Sequence, residues 1–296
     1  MKIFVAGSLN MDLVINAPFM PKSGMTISGN GFMTNPGGKG GNQAVAVGNL
    51  GGAAYMVGCV GNAFGNELLT TLQKHNVNTQ HVQKTDTVSS GIAVIVVVDG
   101  DNRIILDTGA NGCVDKALID SAFHEAQAGD YLVVQLEIAQ ETVAYALQKA
   151  KESGIITVLN PAPAAALPED IFRYCDWFIP NQTEAEFYTG IYPEDEDSIK
   201  RCVHALKQKG IQNVLITLGA LGSVCIAEQA FIQVPSEKVQ AVDTTAAGDT
   251  YVGAFVTRLS EGASVQEAMR FASKAAAVTV TRRGAQQSIP LRNEVI

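Results

Sequence analysis

The chain has 296 residues, 47% hydrophobic and 17% charged, a globular composition with room for one large α/β domain. Its net charge of −8 and pI near 5.0 exclude a broadly basic face for nucleic acid or anionic lipid. The five cysteines lack CxxC spacing, no leader-like apolar segment opens the chain, and no apolar run approaches about 18 residues, so a soluble cytoplasmic protein with reduced thiols and no membrane or nucleic-acid partner is expected.

In chain order, residues 3–6 predict a short apolar strand, with the polar pair Asn10 and Asp12 just beyond it. Between 14 and 34 the pattern is β-like but broken by proline and glycine. NPGGKGGNQA at 35–44 then runs into a helix carrying Ala44, Val45, Val47 and Leu50. A strand is expected at 55–60 and a helix over 62–75. Residues 91–107 form two β runs around Asp99-Gly100-Asp101-Asn102, a hairpin signal. Together with the broken stretch, it predicts a small sheet apart from the main one, formed discontinuously by about 13–35 and 91–108 within a single domain of 1–296.

Beyond 115 the rhythm is regular. Helices are expected at 115–128, 140–153, 195–209 and 264–278, and strands at 131–136, 156–159, 176–179, 214–218, 223–227 and 230–235. Such alternation predicts a largely parallel, Rossmann-like sheet between two helical layers, a three-layer α/β/α sandwich. Asp12, Glu137, Asn160, Asn181 and Gly219 all follow apolar strands, which puts them on one edge of that sheet.

Three stretches carry chemistry. VDTTAAGDTYVGAFVTRL at 242–259 is a small-residue loop tipping into a helix whose apolar face recurs through Val252, Phe255, Val256 and Leu259. The free N–H groups of a helix entrance receive an anion, and Ala246, Ala247 and Gly248 are small enough to let a phosphate reach the backbone. Asp249 in the first turn suits a general base; equally, Asp243 or Asp249 could cap the helix. The glycines around Lys39 fit neither the P-loop nor the dinucleotide pattern, which argues against an oxidoreductase. They read either as a loop that brings a ligand to the backbone, with Lys39 and Asn42 as donors, or as a plain turn before a helix. Asn181-Gln182-Thr183-Glu184 reads either as a helix cap or as a holder of hydrated Mg²⁺. The four histidines fall on predicted helices or turns and form no metal spacing.

With 35–44, 181–184 and DTTAAGDTY at 243–251 in this order, the sequence resembles the ribokinase-like (PfkB-type) carbohydrate kinase family along practically its whole length. The resemblance implies an ATP-dependent kinase acting on the primary hydroxyl of a small sugar, D-ribose to ribose 5-phosphate before deoxyribose, a nucleoside or another sugar or sugar acid. A sugar-binding protein without turnover is the remote alternative. Asp249 is then the base, and Ala246, Ala247 and Gly248 form the anion hole. Asn10, Asp12, Gly38, Lys39, Asn42, Glu137 and Asp249 bind the sugar. Asn181 and Glu184 organise Mg²⁺ through water. Thr217, Gly219, Gly222, Gly248 and Ser273 contact ATP, although Leu221 and Ser273 replace a basic residue and a histidine common in the family. A K⁺ site is implied at Asp243, Thr245, Thr279, Arg282, Gly284 and Ser288. The discontinuous sheet is implied to be a lid that pairs with a second copy in a homodimer.

Overall fold

The computed structural model describes residues 1–227 and 230–295. Strand β1 (Lys2–Ala6) leads into β2 (Asn10–Asn16) and, after a loop, β3 (Asn30–Gly37). Helix α1 (Lys39–Asn49), β4 (Ala53–Val60), α2 (Gly65–Lys74) and β5 (Asn78–Lys84) follow, then the hairpin of β6 (Gly91–Val98) and β7 (Asp101–Asp107). The second half alternates through α3 (Lys116–Phe123), β8 (Tyr131–Val134), α4 (Gln140–Glu152), β9 (Ile156–Leu159) and β10 (Trp177–Phe178). It continues with α5 (Gln182–Thr189), α6 (Glu196–Gln208), β11 (Asn213–Thr217), β12 (Ser223–Ala227) and β13 (Ala230–Val234), and closes with α7 (Ala247–Ser260) and α8 (Val265–Val280).

Nine strands form one sheet in the order β13-β12-β11-β10-β9-β8-β1-β4-β5, parallel except for the antiparallel pairs at β12. Successive side chains of a strand face opposite sides, and the two cores record this. Ile3, Val5, Val133 and Val158 pack with α1, α7 and α8, whereas Phe4, Ala6, Leu132, Val134 and Leu159 pack with α3, α4 and α6. The expected three layers are therefore present.

The second sheet, β3-β2-β6-β7, is assembled from the two separated segments read as β-like. Its hairpin turns on two residues, Asp99 and Gly100, both at positive φ (52° and 82°), the twist a two-residue hairpin requires. The sheet begins earlier than expected: Asn10 and Asp12 lie inside β2, not in a loop after β1.

Other differences are local. The helix expected to reach 128 ends at Phe123, and that expected from 62 starts at Gly65 behind a left-handed Phe64. Strand β5, NTQHVQK, is too polar to read as a strand and survives as the sheet's edge; it carries His81, which was expected on a helix or turn. Cys113 is exposed, while the other four thiols are buried. Among the described residues no helix is long and apolar enough to cross a membrane.

One packing contact positions the site. A Cβ at Gly253 of α7 would lie 2.5 Å from Ala46 Cβ and 2.9 Å from the Gln43 carbonyl of α1. Glycine alone lets these two helices approach so closely, and their first turns meet as a result.

Candidate active site

At the start of α7, Ala246 is the N-terminal flanking residue, held in the left-handed region at φ 60° with no side-chain cap. Neither aspartate caps the helix. Asp249 is buried, and its carboxylate accepts from Asn42 Nδ2 (2.9 Å) and Gln43 Nε2 (3.0 Å), both on α1. Asp243 instead accepts from Thr245 N (2.9 Å) and Thr245 Oγ1 (2.7 Å), and from Gly284 N (3.0 Å). Burial works to raise its pKa, but those hydrogen bonds hold it below the ordinary carboxylate value. In the loop between them, Ala247 N makes a 3.3 Å turn bond to Thr244 O.

A cavity of about 220 Å³ lies in front of this entrance, lined by Lys39, Asn181, Glu184, Thr217, Gly248 and Asp249 among others. Burial acts to lower the Lys39 pKa, yet Asp249, Glu137 and Glu184 raise it above its usual value, so it is a fixed cation. Glu184 is pushed up by burial, against the pull of the Asn181 N–H and Lys39. The capping reading of this segment is realised: Asn181 Oδ1 accepts from Glu184 N (2.8 Å), and Glu184 Oε2 accepts from Asn181 N (2.9 Å). The other Glu184 oxygen is left for the cavity.

The candidate sugar residues gather beside Lys39. Gly38, at φ 83°, lies against β2: a Cβ there would stand 2.8 Å from Asn10 N. Glu137 Oε2 accepts from Lys39 N (3.0 Å) and Ser8 Oγ (2.6 Å). Burial and the nearby Glu137 push Asp12 up to about 7. Asn42 gives one amide hydrogen to Asp249, and its buried acceptor, Oδ1, has no partner within the chain.

A larger cleft, about 620 Å³, runs between the ends of β11 and the α7–α8 pair, past Thr217, Gly219, Gly222, Tyr251 and Ser273. It shares Asn181, Thr217, Thr244 and Gly248 with the smaller cavity, so the two meet at the α7 entrance. Ser273 Oγ donates to the Pro235 carbonyl (3.2 Å), and the Leu221 side chain points to solvent. In the last turn of α8, Thr279 Oγ1 donates to Thr250 Oγ1 (3.0 Å); in the tail beyond it, Arg282 pairs with Glu294 (2.5 Å) and Ser288 Oγ donates to the Ala285 carbonyl (2.7 Å).

Sequence reasoning missed four members of this site. Asn111 donates to Asn10 Oδ1 (2.7 Å) and accepts from Leu9 N (2.8 Å). Ser8, Gln43 and Gln135 join the polar network. Asn160 was placed on the sheet edge without a contact; it binds Gln43. Buried amides of this kind read as ordinary helix or strand positions until their partners are known.

A buried carboxylate at an anion-receptive helix entrance, standing between a nucleotide-sized cleft and a polar cavity, defines an α/β phosphotransferase. Residues 1–292 match the profile of the pfkB family carbohydrate kinases. Ribokinase of Schizosaccharomyces pombe is 41% identical, with 99% of this chain and 96% of that protein covered. Deoxyribokinase of Salmonella typhi is 37% identical, at 98% and 96% coverage. The structure of Arabidopsis thaliana ribokinase complexed with ribose and ATP superposes with TM-score 0.93 at 31% identity, covering 99% of this chain and 97% of that one. The chain belongs to the pfkB family of carbohydrate kinases, which are ATP-dependent phosphotransferases.

Proposed function

We propose that the chain transfers the γ-phosphoryl group of ATP to the primary hydroxyl of D-ribose, giving ribose 5-phosphate and ADP. The observation that carries this reading is Asp249, buried at the α7 entrance where the two cavities meet. Ribose lies against Asn10, Asp12, Gly38, Lys39, Asn42 and Glu137, with Asp12 and the free Asn42 oxygen accepting from its hydroxyls. Asp249 takes the proton of the 5-hydroxyl as that oxygen attacks the γ-phosphorus in line. The free N–H groups at the α7 entrance, that of Gly248 among them, and the Lys39 ammonium receive the developing charge at the positive end of the helix. ATP occupies the larger cleft, its phosphates toward Thr217 and Gly219 and its nucleoside toward Gly222 and Ser273.

Two cations fit the residues present. The unshared Glu184 oxygen, with Asn181 beside it, suits a Mg²⁺ that keeps most of its waters, and the burial that raises the Glu184 pKa is relieved by a cation. Bound there, Mg²⁺ neutralises the triphosphate. Asp243 stays ionised, its Oδ2 takes a single hydrogen bond, and it joins the Thr245 loop to the Gly284 tail. With the carbonyls of Thr245, Thr279, Arg282 and Gly284, and Ser288, it would hold K⁺, which supplies charge behind the anion hole. The small sheet acts as a lid over the sugar and pairs with a second copy, and the buried thiols suit the cytoplasm.

The second reading, phosphorylation of 2-deoxyribose, is favoured by the similarity to the Salmonella deoxyribokinase. ADP release measured with D-ribose, 2-deoxy-D-ribose, fructose and adenosine at fixed Mg²⁺ and K⁺ separates them. The highest kcat/KM is expected for D-ribose, because a site built to pair a hydroxyl rejects the analogue lacking it. A higher value for 2-deoxyribose would select the second reading, and no sugar-dependent ADP would remove both.

A further inference from the structure

Gln43 has no part in the reaction as written, yet it is fully buried one position past Asn42 and touches the base directly. Its Nε2 donates to Asp249 Oδ1 and to Asn160 Oδ1, each at 3.0 Å, and its Oε1 accepts from Gln135 Nε2 at 2.6 Å. The direction of this chain is fixed from outside. The Ile179 backbone carbonyl can only accept, and Asn160 donates to it through Nδ2 at 2.8 Å. Asn160 must therefore turn its oxygen toward Gln43, and Gln43 must answer with its NH₂. Both of those hydrogens are then spent, one on Asn160 and one on the base, while the remaining oxygen meets the NH₂ of Gln135.

We infer that Gln43 is the positioning residue of the catalytic base, a role that rests on the reading of Asp249 given above. Asn42 holds one carboxylate oxygen and Gln43 the other, so the Asp249 side chain is fixed against rotation while lone pairs stay free for the incoming hydroxyl. The donors are neutral. A guanidinium or ammonium in the same place would fix the carboxylate equally well but add positive charge against the proton it must accept. Lys39 already supplies the cation of this site from another side. Gln135 and Asn160 act one step further back, by keeping the Gln43 amide from turning over.

The test is a double-mutant cycle in the full chain with Gln43→Met, Asp249→Asn and the two combined, reading kcat, both KM values and thermal stability. Gln43→Met is expected to lower kcat by about 10–100-fold, the scale of a small misplacement of a reacting group, with KM for ribose and ATP within about twofold. In the Asp249→Asn background the same change should cost almost nothing, because no base is left to position. A purely structural role would cost the same factor in both backgrounds, or would act through KM, and either result overturns the inference. If Gln43→Met does not fold, Gln135→Met, which frees only the far end of the amide, is expected to give a smaller loss with the same dependence on Asp249. Its absence there overturns the inference too. Asp249→Asn turning over like the parent removes the base itself and this inference with it, whereas a slow Asp249→Asn beside a fast Gln43→Met removes the inference alone.

Discussion

Asp12 is the residue whose chemistry pH reports most directly. Its pKa stands at about 7 against an ordinary 3.8, raised by burial and then by Glu137. Between those values the folded chain binds more protons than the unfolded one, so this residue's contribution to stability falls as pH rises through that window. Sugar hydroxyls donate to the ionised form, so ribose binding lowers the pKa and releases a proton near pH 6–7. Ribose affinity should thus weaken as pH drops below about 7, by up to roughly tenfold per unit, and level off above it. Calorimetry in buffers of different ionisation enthalpy would register the proton, and Asp12→Asn should abolish it while weakening binding. Affinity independent of pH between 5.5 and 8 would take Asp12 out of the sugar site. The carboxylates at this scale were legible because Glu137, Glu184 and Asp249 each follow a strand or open a helix, and Asp12 comes soon after the first apolar strand although it lies within β2. The amides were not. Gln43 occupies a helix position that periodicity assigns to the core, and Asn111 lies about a hundred residues from the Asn10 it holds, so each gains meaning only through a long-range partner.

At the scale of elements, the α7 entrance is held from two directions. From the front, α1 reaches Asp249 because Gly253 lets the helices touch. From behind, Asp243 ties residue 245 to residue 284 by hydrogen bonds from both. The motif at 243–251 made the entrance legible, yet the cap reading fails because the loop turns through a left-handed Ala246, a conformation the sequence disguises with a non-glycine residue. Since Asp243 is a tie even without an ion, a slow Asp243→Ala would not by itself reveal a cation site. The parent protein decides it: K⁺ in place of Na⁺ or tetramethylammonium, at constant ionic strength and fixed Mg²⁺, should raise kcat severalfold, by fixing the loop dipoles toward the phosphate. Asp243→Ala should be slow in every cation. Equal parent rates across the series would leave Asp243 as a tie and nothing more.

For the whole molecule, the question is what covers the small sheet. Cross-strand pairing aligns Met33, Val14, Ile95 and Ile104 on one face and Leu13, Val94 and Ile105 on the other. Ile104 is 54% and Ile105 71% exposed, so the β7 edge is open on both faces. A lid that closes on a sugar within its own chain can cover only one of them. An apolar strand open on two sides is the kind of surface a second copy buries, and a stable pairing needs about 800 Å² from each partner. The parent is therefore expected to sediment at twice the 31.3 kDa chain mass. Ile104→Glu combined with Ile105→Glu charges both faces of β7, so it breaks the pairing whichever face mates. That variant should run as a monomer with ribose KM raised roughly tenfold, while kcat at saturation changes less, because Asp249, Gln43 and the anion hole stand on the main sheet and its helices. Loss of the dimer without any change in ribose KM would separate pairing from sugar binding, and a parent that is monomeric at micromolar concentration would leave the open strand without the partner proposed for it.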